Sequence, residues 1–319
     1  MGSLSINDRF PSSSTSVLHQ ALHSHDFPSK PQTECARILR DRCPACFGGN
    51  EFGRSFDQYV FVLCTELSNH GSYRGGDIHV AIDGNFHHRH KTSAGDSPPF
   101  YDPTYVIPKE KVDAVGHRID AARKKPAKSS TRIVPDEAVD ECERTHEAAD
   151  GKRQKTSMDS FDDTGWMAMV CRHDIPLFFA NIDTPGEQQK YAVSLLEHLF
   201  SLLPQEATVG GLYDVGCVLD RSLRLVRVVP IYSKCYILMV TQYDILPDSI
   251  VKRLLLATSA MHAYGHQWSC QLEYNPRLRV GMGLTDGEGV ERLWSRLWRL
   301  IGITRSSGVS PIIDKVYCG

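Results

Sequence analysis

The 319-residue chain contains no run approaching the roughly 18 apolar residues that a membrane-spanning helix needs, so no segment is read as crossing a membrane. Its opening, MGSLSINDRFPSSS, lacks the basic start and apolar stretch of a secretory signal. Positive charge is not in surplus either. Lys+Arg 36 against Asp+Glu 38 gives a net −2, so no global basic field marks a nucleic-acid binder, and any phosphate contacts must come from local patches. No heptad and no internal repeat is visible, which argues against coiled coils and solenoids. What is present is ordinary: 41% hydrophobic and 23% charged residues, enough for one sizeable core or two modest ones. Ten cysteines and 14 histidines in a chain without a leader point to zinc or buried thiols rather than disulfides.

The organisation follows from hydrophobic period and breaker residues. Residues 1–34 are rich in Ser, Pro and His without apolar period and are expected to be disordered. A Cys-containing segment, 35–76, carries Cys35 and the CPAC pair Cys43 and Cys46. DIHVAIDGNF (77–86) alternates Ile78, Val80 and Ile82 and ends at an Asp-Gly turn, the pattern of a strand. Residues 91–160 change character: SPPFYDP, a charged helical stretch from Lys109 to about Lys125, PAKSSTR, then DECERTHEAADGKRQK read as an insertion with flexible joints. Strands are predicted at 165–173 and 175–183, a helix at 185–204 with Tyr191, Leu195, Leu199 and Leu202 as its buried stripe, and a short strand at 209–217 bearing Asp214. Residues 249–268 and 287–302 read as two further helices, and 306–319 as a tail. The order strand, insertion, strand, strand, helix, strand predicts an α/β fold: an RNase H-like mixed sheet with flanking helices and a Cys/His-containing insertion, its core made of 77–90 and 161–305.

Carboxylates come first among the candidate chemical groups. Two-metal phosphoryl transfer needs about three of them converging on Mg2+ or Mn2+ ions about 3.5–4 Å apart, because these ions prefer hard oxygen donors. Asp83 ends the first predicted strand and Asp214 the fourth. A third metal-ligating carboxylate would come from Glu288 or Glu291, at i and i+3 of the last predicted helix. Asp77, Asp220 and Asp286 are nearby competitors. Each alone reads equally as a turn residue or a solvated helix face.

Cys142 and His146 (C-x3-H), followed by Cys171 and His173 (C-x-H), offer four ligands in two pairs, as a closed structural Zn2+ site requires. On spacing alone they also read as two buried thiols and two exposed histidines. His262, His266 and Cys270 recur at i, i+4 and i+8 of the predicted helix, a face that holds a metal, sets a histidine beside the active site, or is structural. Cys43 and Cys46 lack an obvious partner pair. RKKPAK (123–128) and KRQK (152–155) are basic clusters that read as phosphate contacts, a nuclear localisation signal or solvated loop charge. Trp294 and Trp298 are spaced as core, with Arg292, Arg296, Arg299 and Arg305 turned outward toward a DNA channel.

The strings CPACFGG, DIHVAIDGNFHHRH, CRHDIPLFFANIDTPGEQQKYAVSLLEHL, LYDVGC, HAYGHQWSCQ and GLTDGEGVERLW together resemble fungal KDZ (Kyakuja–Dileera–Zisupton) transposases over most of residues 35–305. The resemblance implies a divalent-metal-dependent DDE transposase acting in the nucleus on DNA, at transposon ends and target, and assembling as a homo-oligomer there. Its motif acids fall on Asp83, Asp214 and Glu288 or Glu291, and its Cys/His positions match Cys142, His146, Cys171 and His173. Two stretches depart from the family, 53–75 and 224–243; both are read as translated introns, which transcript reads running through them without a gap would overturn. The chain also leaves the family's pattern soon after the last carboxylate, so a truncated copy is expected. The competing readings are a catalytically inactive, zinc-stabilised DNA- or protein-binding remnant and an RNase H-like nuclease unrelated to transposition.

Overall fold

A computed structural model describes residues 33–54, 56, 76–95, 104–124, 134–145, 160–184, 186, 188–223, 227–228, 237–238 and 245–306. The expectations for residues 1–32, His146, the cluster at 152–155, most of 123–128 and of the two departing stretches, and the end of the tail lie outside those residues. Two short helices open the described chain, α1 (Arg37–Arg42) and α2 (Pro44–Phe47). They lead to β1 (Ile78–Asn85) and the small antiparallel pair β2 (His90–Lys91) and β3 (Phe161–Asp163), with α3 (Lys109–Arg123) and α4 (Asp136–Thr145) between the members of that pair. Next come β4 (Gly165–Cys171), β5 (Pro176–Ile182), α5 (Gln189–Ser201), β6 (Val209–Tyr213) and α6 (Gly216–Leu223). After a two-residue pairing of β7 (Arg227–Val228) with β8 (Ile237–Leu238), the chain forms α7 (Asp248–Val251), β9 (Leu254–Ala257), α8 (Trp268–Tyr274), α9 (Gly289–Leu297) and α10 (Ile301–Ser306).

One mixed sheet organises the molecule, in the order β5-β4-β1-β6-β9. β4 is antiparallel to both its neighbours, whereas β1, β6 and β9 run parallel to one another. Central position explains the sequence of β4: GWMAMVC is buried throughout and reads as a continuous apolar run rather than an alternation. The edge at β5 is covered. Tyr105 and Ile107 exchange backbone hydrogen bonds with Phe179, and Pro176 takes the strand's first position, where a missing N–H costs little.

Each sheet face has its own apolar cluster. Ile78, Val80 and Ile82 of β1 join Met167 and Met169 of β4 and the stripe of α5 on the first face. The helices of segment 91–160 also belong there: α3 buries Val112, Val115 and Ile119, and α4 buries Val139 and Cys142. The stretch expected as an insertion with flexible joints therefore supplies part of the main core. On the second face Ala81, Trp166, Ala168, Val170, Phe179 and Leu212 meet α9. That helix buries Val290, Leu293, Trp294 and Leu297, an i, i+3, i+4, i+7 stripe worth on the order of 6–12 kcal/mol of apolar burial.

One helix predicted from sequence is corrected. Residues 249–268 form α7, the buried strand β9 and a 3-10 turn at His262–Gly265. Leu254–Ala257 is a short continuous apolar run, and a parallel strand buried on both faces has the same signature as a core helix. The packing partner decides: β6 offers its free edge, and Gly211 leaves room there for Leu254 and Leu256.

Candidate active site

Asp83 and Asp214 are brought together by strand register. β1 and β6 are parallel with Ile82 beside Tyr213, so the next residue of each chain segment is an aspartate at the same end of the sheet. Asp83 lies two residues beyond Ala81 and shares its face. The Trp294 indole N–H donates to Asp83 Oδ2 at 3.1 Å, which ties that carboxylate to α9. Asp214, two residues beyond Leu212, is nearly buried, and its Oδ1 lies 3.5 Å from His262 Nδ1. His262 is in turn 2.6 Å from Ser259 Oγ. Of the three residues expected on one helical face, His262 is the one beside the acids.

Glu288 and Glu291 lie on the turn of α9 that leads to this corner. Glu288 Oε1 accepts the Met261 backbone N–H at 2.8 Å, next to the Ser259–His262 pair. Trp294, six residues on, touches Asp83. Glu291, exposed, lies three residues from each of them in the helix's first turn. The helix reaches this position because Gly287, at φ +78°, packs where a Cβ would meet Leu212 Cβ at 2.9 Å and Ser259 Cα at 3.1 Å. Asp286 Oδ1 accepts the Glu288 N–H at 3.0 Å in the turn that leads into the helix.

The competing aspartates are occupied structurally. Asp77 sits at the other end of β1 and accepts backbone N–H groups from Gly53, Arg54 and Thr208. Asp220 accepts from the buried Tyr274 hydroxyl at 3.0 Å. Asp286 pairs with Arg292, whose guanidinium also bridges to Asp174 and holds Asp286 below the usual carboxylate range. Arg292 is thus engaged within the fold, while Arg296 and Arg299 are exposed. Trp298, expected in the core with Trp294, is 60% exposed because the helix tightens to a 3-10 turn at Trp298–Leu300 and swings it outward.

Sulfur and nitrogen donors gather in two other places. Cys43, Cys46, Cys171 and His173 present ligand atoms all within 4.8 Å of one another. Cys43 Sγ and Cys46 Sγ lie 3.5 and 3.2 Å from His173 Nδ1. Cys171 is held down to about 5 chiefly by the Cys46 thiol hydrogen-bonding to it, against the effect of burial. In the second place Cys142, Cys217 and Cys270 converge, again within 4.8 Å. Either set of donors could hold a structural metal such as zinc.

Of the expected quartet, Cys142 and Cys171 fall in different clusters, and His146 lies outside the described residues. Cys171 and His173 join the CPAC pair, and Cys142 joins Cys217 and Cys270. The cause is topological. β4 runs opposite to β6, so Cys171 at its end lies at the start of β1 and β6, while Cys217 follows the other end of β6. His266 and Cys270 fall on separate elements, the chain turning extended at His266 between the 3-10 turn and α8.

Residues 77–314 match the family model described as KDZ: Kyakuja-Dileera-Zisupton transposase. The comparison with curated proteins gave no match. The comparison with solved structures gave none either.

Proposed function

Because the chain belongs to the KDZ transposase family, we propose that it is a DDE-type transposase core of RNase H-like fold that cuts and joins DNA strands with Mg2+ or Mn2+. The strands, taken in space, are the third, second, first, fourth and fifth of the main sheet, with the second alone reversed, which supports the RNase H-like reading. The observation that carries the proposal is the in-register placement of Asp83 and Asp214 at the ends of neighbouring parallel strands under α9.

Two carboxylates on adjacent strand ends, with Glu288 or Glu291 from the helix above, form a hard oxygen donor set, which suits Mg2+ or Mn2+ better than zinc. Bound there, the ions would supply the polarisation of the scissile phosphate and the activation of the attacking oxygen. The chain's own groups set the geometry. Trp294 fixes the rotation of the Asp83 carboxylate through its N–H. His262 lies against Asp214, its Nδ1 3.5 Å from Oδ1. Glu288 ties α9 to the loop carrying His262. The substrates are transposon ends and target DNA, the site of action is the nucleus, and the working form is a homo-oligomer on DNA. Cys43, Cys46, Cys171 and His173 hold a structural zinc: a tetrahedral Cys3His centre has S···N edges of about 3.6 Å, near the 3.5 and 3.2 Å seen here.

The experiment is cleavage of labelled DNA in Mg2+ or Mn2+ by the purified chain. Cleavage should disappear in Asp83→Ala and in Asp214→Ala. Equal cleavage by both variants would refute the assignment, and salt-dependent DNA binding without cleavage in the unaltered chain would favour the inactive remnant.

A further inference from the structure

Cys142, Cys217 and Cys270 come from three different helices, α4, α6 and α8, and each is buried to within 2% of complete exclusion. A buried cysteine by itself is a small apolar side chain. Three whose sulfurs meet at one point are different, because thiols satisfy one another poorly and a disulfide would use only two. A fourth donor, His266, lies beside one of the three sulfurs. Its Nδ1 lies 3.5 Å from Cys217 Sγ. The Cys217–His266 separation equals, within about 0.1 Å, the S···N edge of a tetrahedral zinc centre built from Zn–S of about 2.3 Å and Zn–N of about 2.0 Å.

The surroundings suit thiolates. The Gln267 backbone N–H donates to Cys142 Sγ at 3.3 Å, a bond that an anionic sulfur accepts far better than a thiol. Gln271 Nε2 donates to the His266 carbonyl at 2.8 Å and fixes the loop that presents the imidazole. Three thiolates and a neutral imidazole around a divalent ion leave one negative charge, and Arg221, one turn after Cys217, lies within electrostatic reach of Cys270.

We infer that Cys142, Cys217, His266 and Cys270 form a second Cys3His zinc site, separate from the Cys43–Cys46–Cys171–His173 centre. Its placement gives it a role. Cys217 is three residues after Asp214, and His266 is four after His262. Both segments that bring those side chains together would be fastened to α4 of the segment between β2 and β3. That consequence, unlike the site itself, rests on the catalytic reading of Asp214.

The test counts metal rather than activity, so its failure is distinct from a failure to cleave DNA. Zinc in the purified full chain, measured by inductively coupled plasma mass spectrometry, should be two ions per chain. Cys270→Ala and Cys217→Ser should each lose one ion, and Cys46→Ser should lose the other. A single zinc that persists in Cys270→Ala and vanishes in Cys46→Ser would overturn the inference. Because core cysteine variants can fail to fold, the unaltered chain is also exchanged with Co2+. Thiolate-to-cobalt absorption should correspond to six thiolates per chain. Absorption for only three, or a disulfide linking any pair among Cys142, Cys217 and Cys270 in freshly purified protein, would equally overturn it.

Discussion

Replacing Trp294 with phenylalanine isolates the contact that joins α9 to Asp83. The indole N–H at 3.1 Å from Asp83 Oδ2 is lost, while the ring stays in the cluster with His88, Trp166 and Phe179. A hydrogen bond to a charged group contributes about 1.5–3 kcal/mol net, and the Asp83 carboxylate is only partly open to compensating water. The smaller ring leaves a gap of roughly 40 Å3, which at about 24 cal/mol per Å3 adds about 1 kcal/mol. The single variant should therefore be destabilised by about 2–4 kcal/mol, read as a shift of the urea midpoint at constant slope. The two contributions separate in a double-mutant cycle with Asp83→Ala. The gap affects both arms alike, whereas the hydrogen bond exists only when both residues are present, so the double variant should be less destabilised than the sum by about 1.5–3 kcal/mol. Additivity to within about 0.5 kcal/mol would refute the reasoning: the Trp294 N–H would then contribute nothing to holding Asp83.

Two further outcomes test the frame around the site. Gly165→Ala places a Cβ 2.2 Å from the Asn85 carbonyl oxygen and 2.9 Å from Phe86 Cα, all backbone that cannot rotate away, so a loss of at least about 2 kcal/mol is expected in the same denaturation assay. A neutral result would mean that β1 and β4 separate at the Asp83 end more easily than their pairing implies. His88, stacked on Trp166, and His198, edge-on to Phe178, are both held down to about 4 by burial. Their ordinary value is near 6.5, so between about pH 6.5 and 4 the unfolded chain takes up protons that the folded chain refuses. The stability these residues confer is complete above about pH 6.5 and is lost as the pH falls toward 4. His198→Leu should flatten the dependence of melting temperature on pH across that window relative to the unaltered chain. An identical slope in both proteins would remove His198 from the account.

The sheet was legible where local pattern and tertiary need coincide. The alternation of Ile78, Val80 and Ile82, the unbroken run of GWMAMVC and the stripe of α5 each have one sensible reading, and the structure has those elements at β1, β4 and α5. Leu254–Ala257 was not legible, because a short apolar run carries no period. Only the free edge of β6 makes it a strand. Trp294 shows a different limit. Its spacing identified it as core, and it is 5% exposed, but nothing in a sequence says that a core indole will aim its one donor at an aspartate 211 positions away.

The Cys/His residues show why pairing is harder to read than ligand type. Each half-site is local: CPAC places two sulfurs on one tight turn, and C-x-H sets Cys171 and His173 at one strand end. Local spacing therefore identifies the halves, but it is silent on which halves meet, since that depends on which ends of which strands are neighbours. Cys142–His146 and Cys171–His173 are consecutive two-ligand motifs, and that order alone suggests pairing them. One reversed strand undoes it: β4 carries Cys171 to the end of the sheet where β1 begins, and Cys142 stays at the end where β6 finishes. The same reversal sets the CPAC cluster at the opposite end of the strands from Asp83 and Asp214. Cys217 was overlooked for a related reason. It follows Asp214 so closely that it read as the tail of a strand, whereas the chain turns at Val215 and starts α6, and that turn carries the sulfur away from the acids and into the second cluster.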